Sequence, residues 1–104
     1  MIVVRFVFQA KWNKADEVVE GFKQNAEMMS RLAGSNAKVR ILTDLSGPFF
    51  TVVQEMELES LAEWERLRAA TFSDPEFQEA QAGASGENPF ESGRTEFYTL
   101  EASL

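Results

Sequence analysis

Two hydrophobic periods alternate along this chain, and their order restricts its fold more than any other feature of the sequence. Apolar residues recur at every second position in some segments, as in half-buried strands, and at intervals of three or four in others, as in helices. The predicted segments, in order, are a strand at 2–10, a helix at 14–33, strands at 37–43 and 49–58, a helix from Leu61, and a strand at 94–102.

Local signals predict where these segments begin and end. Asn13 occupies the position of a helix N-cap, and Ser60 with Glu63 has the spacing of a capping box. Asp74, followed by proline, interrupts the second helix and starts a short third segment. Residues 83–93 contain three of the six glycines and are predicted to form a surface loop. The predicted buried stripe of the second helix comprises Leu61, Trp64, Leu67, Ala70 and Phe72.

The order strand, helix, strand, strand, helix, strand is that of the α+β ferredoxin-like fold. Residues 1–104 are therefore expected to form one domain, a four-stranded antiparallel sheet with two helices on one face. Strand residues such as Val3 and Val7 leave the opposite face of the sheet apolar as well. Because such a face is poorly suited to water, the sequence predicts that it packs against a second copy in a homodimer.

Composition excludes several classes of function. The chain has no histidine and no cysteine, which excludes disulfides, Cys-based zinc sites and catalytic triads built on histidine. A net charge of −7, with scattered cations, argues against nucleic acid as a partner. No apolar run approaches the length of a membrane span, and the N-terminal strand lacks the features of a signal peptide. The expectation is a cytoplasmic protein without a metal or other cofactor.

Three segments resemble the dimeric α/β-barrel superfamily, in particular its small NIPSNAP-like and antibiotic-biosynthesis-monooxygenase-like members. They are the opening strand and helix, the hairpin from 39–44 to 50–55, and the run Ser-Leu-Ala-Glu-Trp-Glu at 60–65 followed by Ser-Asp-Pro-Glu-Phe-Gln at 73–78. The resemblance implies that two sheets pack face to face into a barrel shared by a homodimer. It also implies a choice of activities, which include cofactor-independent oxygenation and the binding or degradation of haem.

The haem-binding activity fits this sequence poorly, because such relatives generally use a histidine ligand. Cofactor-independent oxygenases of this kind rely on polar and aromatic pocket residues. Residues of the right types here are Arg5, Trp12, Asn13, Arg40 and Trp64. A structural interpretation is also open for three of them, with Asn13 as a helix cap and the two tryptophans as packing residues.

Arg5 is the most informative single candidate, because it lies in the middle of the first strand on the face expected to pack against a partner. A guanidinium there needs a carboxylate or an anionic ligand. The predicted ligand-binding residues are therefore Arg5, Arg40, Glu55 and Tyr98. The alternative is structural, with Arg5 and Glu55 forming a permanent ion pair.

Two functions are consistent with these observations. The first is a homodimeric enzyme, a cofactor-independent monooxygenase acting on a small aromatic or polyketide-like metabolite. The second is a non-catalytic protein that binds a small hydrophobic or acidic metabolite. A cavity with converging polar groups would favour a ligand-binding role over a barrel filled with side chains.

Overall fold

The computed structural model describes residues 1–34, 38–83 and 88–104, without the side chains of 80–83. Within these ranges, the strands form one antiparallel sheet in the order β2-β3-β1-β4, which confirms the α+β ferredoxin-like architecture. The elements are β1 (Ile2–Ala10), α1 (Ala15–Ala33), β2 (Lys38–Thr43), β3 (Thr51–Leu58), α2 (Leu61–Ser73), α3 (Pro75–Gly83) and β4 (Phe90–Thr99).

The hydrophobic core lies between the sheet and its helices. Even-numbered residues of β1 face α1 and α2, because successive strand side chains alternate between the two sides of a sheet. One core cluster contains Val4, Met29, Met56, Leu58 and Leu67, and a second contains Ala10, Val18 and Val52. The side chains of Val4, Met56 and Leu67 have no exposed surface.

Two of the helix-end predictions are confirmed by hydrogen bonds. The hydroxyl oxygen of Ser60 accepts from the backbone N–H of Glu63 at 3.2 Å, which caps α2. The carboxylate of Asp74 accepts from the backbone N–H groups of Glu76 and Phe77 at 3.1 and 3.3 Å, which caps α3.

The prediction that Asn13 caps α1 is wrong. Lys14 occupies the N-cap position, and Asn13 lies in the preceding turn with a φ of +61°. Asparagine is one of the few residues besides glycine that adopt this left-handed conformation at low cost. Asn13 therefore shapes the turn from β1 into α1 and does not satisfy the first backbone N–H groups of the helix.

The limits of the later strands also differ from the predictions. β3 begins at Thr51, after a turn in which Phe50 has a φ of +62°. β4 begins at Phe90, inside the segment predicted as a loop, and ends at Thr99 rather than at residue 102. Pairing with β1 extends β4 backward, since backbone hydrogen bonds do not depend on the turn-forming side chains. Ala37, the predicted start of β2, and residues 84–87 of the predicted loop lie outside the described residues.

The buried stripe of α2 is only partly as predicted. Leu67 is fully buried and Trp64 packs beside it against the core that contains Met29, but Leu61 and Phe72 are 56% and 54% exposed. Leu61 is the first residue of α2, so it lies too near the end of the helix to be covered. In the described part of the chain, no helix is both long and apolar enough to cross a membrane.

Candidate functional site

The sheet face away from the helices carries a row of alternating charges across all strands. Cross-strand register places Arg40 opposite Glu55, Glu55 opposite Arg5, and Arg5 opposite Glu96. The ion-pair distances are 2.5 Å from Arg40 Nη2 to Glu55 Oε1, 3.0 Å from Arg5 Nε to Glu55 Oε2, and 3.4 Å from Arg5 Nη1 to Glu96 Oε1. Arg94 extends this charge row by a pair of 2.8 Å with Glu96.

Each carboxylate of the charge row lies between two arginines. The side chain of Glu55 is 15% exposed and that of Arg5 is 31% exposed, so both charges are only partly solvated. Arg5 Nε is buried, and its N–H is not aligned for a hydrogen bond with Glu55 although the two atoms are within ion-pair distance. The ion pair between Arg5 and Glu55, which the sequence offers as the alternative to a ligand-binding role, is therefore present within the single chain.

The arginine at the end of the charge row favours the ionised form of Glu96. A hydrogen bond from Arg94 lowers the pKa of the Glu96 carboxyl, and Tyr98 and the positive charge of Arg5 act in the same direction. Conversely, the hydrogen bond to Glu96 raises the pKa of the Arg94 guanidinium. These two shifts favour the charged forms of Glu96 and Arg94 at neutral pH.

Three of the four predicted site residues, Arg5, Arg40 and Glu55, therefore meet in one network, and Tyr98 lies in the neighbouring row, opposite Val3. Tyr98 is 48% exposed. A ligand-binding role for these residues remains a prediction, because their charges already satisfy one another. The cavity described next lies on the other side of the sheet.

The cavity has a volume of about 260 Å³ and lies between the helices and the inner face of the sheet. Five of the seven elements contribute to it. Its lining comprises Phe6 of β1, Asn25 and Met29 of α1, Trp64, Arg68, Thr71 and Phe72 of α2, Phe77 of α3 and Thr95 of β4. These lining residues extend from Phe6 to Thr95 along the sequence, so only folding brings them together.

Four of the nine residues that line the cavity are aromatic. The ring of Phe6 lies 5.6 Å from that of Trp64, and Phe72 and Phe77 make a perpendicular pair at 5.4 Å. Trp64 is held from its other side by Phe97, at 6.0 Å. Such edge-to-face contacts fix ring orientations beyond what simple burial does. The cavity therefore presents preformed aromatic surfaces that suit a flat ligand.

The lining includes two threonines, Thr71, whose hydroxyl donates to the backbone carbonyl oxygen of Leu67, and Thr95, which is exposed. The nitrogen-bearing polar groups lie at two other places. At its solvent-exposed rim, the guanidinium of Arg68 lies over the ring of Phe72, 5.3 Å from the ring centre, in a cation–π contact. In the interior, the amide nitrogen of Asn25 lies 3.4 Å from the side-chain oxygen of the buried Gln54. Within the described lining, Arg68 is the one charged residue.

Most cavity residues were not identified from the sequence. Trp64 was considered as a pocket residue and as a packing residue, and it has both roles, because it lines the cavity and packs on the core. Arg68 follows Trp64 by four positions, and Thr71 follows Arg68 by three, so all three share one side of α2. The signal that the sequence offers is a cation, Arg68, close to the apolar residues of the stripe predicted for this helix. Trp12, in contrast, is 72% exposed and lies away from the cavity.

Comparison with known proteins identifies the fold. No family's sequence profile matches the chain, and no curated protein sequence matches it. Among solved structures, an uncharacterized NIPSNAP-like domain protein from Burkholderia xenovorans is similar with a TM-score of 0.76 and 21% identity, over 99% of this chain and 88% of that one.

Two further similar structures are of proteins whose names state an activity. One is a putative antibiotic biosynthesis monooxygenase from Deinococcus radiodurans, with a TM-score of 0.70 and 12% identity over 100% and 96% of the two chains. The other is the heme-degrader MhuD from Mycobacterium tuberculosis with two hemes bound, with a TM-score of 0.71 and 13% identity over 100% and 99%. At these identities the similarity shows a common fold, and the resemblance found in the sequence is confirmed at that level.

Proposed function

We propose that this protein binds a small, flat aromatic or polyketide-like metabolite with an acidic group in the cavity between its helices and sheet. The observation that carries this proposal is the combination of aromatic walls with one guanidinium, that of Arg68, at the rim. Aromatic walls favour a planar apolar body, and a cation at the opening favours an anionic substituent that points to solvent.

The size of the cavity limits the ligand. Pockets for drug-sized molecules have volumes of about 300–1,000 Å³, and the volume of about 260 Å³ lies just below that range. This volume suits a ligand of about two fused rings. A haem has four pyrrole rings and usually takes a histidine ligand, and this chain has no histidine. The residues present therefore do not fit haem.

Cofactor-independent oxygenation is the catalytic form of this proposal, supported by the similarity to the putative monooxygenase. The overall change would convert an activated CH₂ group and O₂ into C=O and H₂O. The described cavity lining has no carboxylate or histidine to remove the proton. The substrate must therefore be acidic enough to ionise by itself, with Arg68 stabilising its anion.

Ligand binding can be tested by the fluorescence of Trp64. Trp12 is exposed, so Trp12→Phe leaves Trp64 as the single reporter without disturbing the core. In this background, 2-naphthoate should quench Trp64, and Arg68→Met should weaken 2-naphthoate binding about tenfold while leaving 2-methylnaphthalene binding unchanged.

Arg66→Met is the matched control, because Arg66 lies on the same helix but pairs with Glu63 and does not line the cavity. Equal losses of affinity in the variants of Arg66 and Arg68 would indicate a general effect of charge and contradict a site at this cavity.

Catalysis is tested separately with an oxygen electrode. A bicyclic 1,3-diketone whose methylene ionises near neutral pH, such as indane-1,3-dione, should be oxidised to the 1,2,3-trione and water with consumption of one O₂ per molecule. Binding without oxygen consumption would favour the second function, a non-catalytic binding protein.

We also propose that the protein works as a homodimer through the outer face of its sheet. In the part of a single chain that the structure describes, no element covers this face, and the Cα extents of 36 × 35 × 18 Å describe a flat molecule. Leu42 and Tyr98, on the same face as the charge row, are 40% and 48% exposed. Covering these side chains together with the charge row would favour association with a second copy.

Light scattering after size exclusion tests the dimer. The expected mass at micromolar concentration is about twice the 11.7 kDa of one chain. Leu42→Glu should shift this mass to that of a monomer, whereas Leu61→Glu should not, since Leu61 is also exposed but lies in the helical layer. A mass of one chain for the unsubstituted protein would refute this assembly. Function in the cytoplasm stays a prediction.

A further inference from the structure

The innermost polar group near the cavity is the amide of Gln54. This residue is 1% exposed and lies on β3 between the fully buried Val52 and Met56. Register places it opposite Phe6, so its side chain is on the helical side of the sheet. A buried amide in an apolar core costs free energy unless hydrogen bonds replace those it made with water.

The hydrogen bonds of Gln54 are weak. Its side-chain oxygen accepts from the amide nitrogen of Asn25 at 3.4 Å, and its own amide nitrogen lies 3.3 Å from the sulfur of Met29. Asn25 also directs its amide nitrogen to that sulfur, at 3.5 Å. These distances are long, and a thioether sulfur is a poor acceptor.

The N–H donors of the two amides therefore lack good acceptors. Together Asn25 and Gln54 carry four side-chain N–H bonds. In the described part of the chain, the side-chain acceptors that these donors reach are the oxygen of Gln54 and the sulfur of Met29. Asn25 and Met29 line the cavity, and Gln54 contacts both, so these weakly bonded donors lie at the cavity wall.

We propose that Asn25 is a specificity-determining residue that donates a hydrogen bond to a carbonyl or enolate oxygen of the ligand. This inference rests on the proposed function, because it assumes that the ligand occupies the cavity. The ligand oxygen would replace the sulfur of Met29 as acceptor, and oxygen is a much better acceptor than sulfur. Gln54 is a positioning residue, since its side-chain oxygen holds the amide of Asn25 toward the cavity.

The inference assigns the two polar positions of the cavity to different parts of one ligand. Arg68 at the rim takes the acidic group, and Asn25 in the interior takes a neutral or enolic oxygen on the ring system. A site built to hydrogen-bond an oxygen discriminates strongly against an analogue that lacks it, because the buried donors are then left unpaired. The substrate class is therefore a keto-aromatic or enolic acid.

The experiment compares 2-tetralone, which has a carbonyl group, with tetralin, which has the same ring system without it. Both are titrated against the Trp12→Phe protein by fluorescence of Trp64. We expect 2-tetralone to bind at least tenfold more tightly than tetralin, and Asn25→Leu to remove that preference while leaving tetralin binding unchanged. Arg66→Met, which removes a cation that does not line the cavity, should not alter the affinity of either compound.

Gln54→Met tests positioning with a side chain of similar shape. It should weaken 2-tetralone binding several-fold, but should have no further effect when Asn25→Leu is already present, because its action passes through Asn25. A structural role alone would weaken both compounds equally. Gln24→Leu is the matched control, as Gln24 is an exposed amide on the same helix, next to Asn25. Urea unfolding confirms that each variant is folded under the titration conditions.

The result separates this inference from the proposed function. Equal affinities for 2-tetralone and tetralin, or an unchanged preference in Asn25→Leu, would overturn the role of Asn25. If 2-naphthoate still binds in an Arg68-dependent way, the proposed function stands while the inference is wrong. If 2-naphthoate also fails to bind, both are wrong.

Discussion

Replacing Arg5 with methionine decides whether the charge row of the outer sheet face is structural or takes part in ligand binding. Methionine keeps much of the length of the arginine stem but removes its charge. If the row is structural, the loss appears in the free energy of unfolding. If Arg5 binds the ligand, as the sequence predicts, the loss appears in ligand affinity.

The arrangement of the row sets the expected size of the structural effect. Removing one partner of a buried ion pair typically costs about 3–5 kcal/mol, because the other charge is left unpaired. In Arg5→Met, however, Glu55 keeps its pair with Arg40 and Glu96 keeps its pair with Arg94. Since Arg5 is 31% exposed, solvent screening reduces the contribution further. We expect Arg5→Met to lower the unfolding free energy by only about 1 kcal/mol.

Because Glu55 pairs with both Arg5 and Arg40, replacing the second arginine should have a larger effect than replacing the first. Arg40 is 63% exposed, so Arg40→Met alone should cost less than about 0.5 kcal/mol. In the double variant, Glu55 is 15% exposed and has lost both cations, which should add about 1–2 kcal/mol beyond the sum of the single effects. Glu55→Gln, combined with both substitutions, should restore most of this excess.

Urea unfolding at one fixed protein concentration measures these energies, since association would make stability depend on concentration. The same proteins are titrated with 2-naphthoate. We expect Arg5→Met to leave 2-naphthoate affinity unchanged, because Arg5 is on the opposite side of the sheet from the cavity. A loss of stability above about 3 kcal/mol, or additive single effects, would refute the reasoning about shared pairs. A loss of affinity with stability kept would support the ligand-binding role of Arg5.

The remaining predictions concern the core, a close contact and acid stability. Leu67→Ala should lower the unfolding free energy by about 3 kcal/mol, because Leu67 is fully buried. Leu61→Ala, at an exposed position, should cost less than about 0.5 kcal/mol. Similar losses in the two variants would show that α2 packs differently. Gly93→Ala should lower the unfolding free energy by about 1–3 kcal/mol, since the new Cβ would collide with the ring of Phe8. Phe8→Leu should relieve part of that cost. An unchanged urea midpoint in Gly93→Ala would contradict this contact. The lowered pKa of the Glu96 carboxyl contributes stability that is present above the carboxyl pKa of the unfolded chain and is lost as pH falls through the lower pKa of the folded state. Glu96→Gln should therefore lose less stability than the unsubstituted protein between pH 7 and pH 3, as urea midpoints at both pH values would show.

Local sequence determined the element order and several element ends. The periodicity of β1 and α1 reflects which side chains face the core, and a single segment is enough to reveal it. Ser60 and Asp74 cap helices through hydrogen bonds that span three residues or fewer. Because these signals are short-range, the ferredoxin-like order could be predicted from the sequence.

Long-range pairing decided what local signals could not. Residues 90–93 have the composition of a loop, yet they form part of β4 because β1 offers backbone partners and the ring of Phe8 lies over Gly93. The register that places Arg5 between Glu55 and Glu96 joins three strands far apart in sequence. The sequence suggested Arg5 with Glu55, but Glu96 became a partner only when β4 paired with β1.

The cavity depended most on tertiary structure. Asn25 of α1 and Gln54 of β3 are unremarkable polar residues within their own segments, and they meet only because α1 packs across the sheet. Trp64 and Arg68, four positions apart, share one side of α2, but only Trp64 belonged to the buried stripe predicted from the sequence. Whether the space beside that face is a cavity or is filled by side chains depends on how α1, α2 and the sheet pack together. Packing volume is a property of many distant side chains at once, so periodicity along one segment does not determine it.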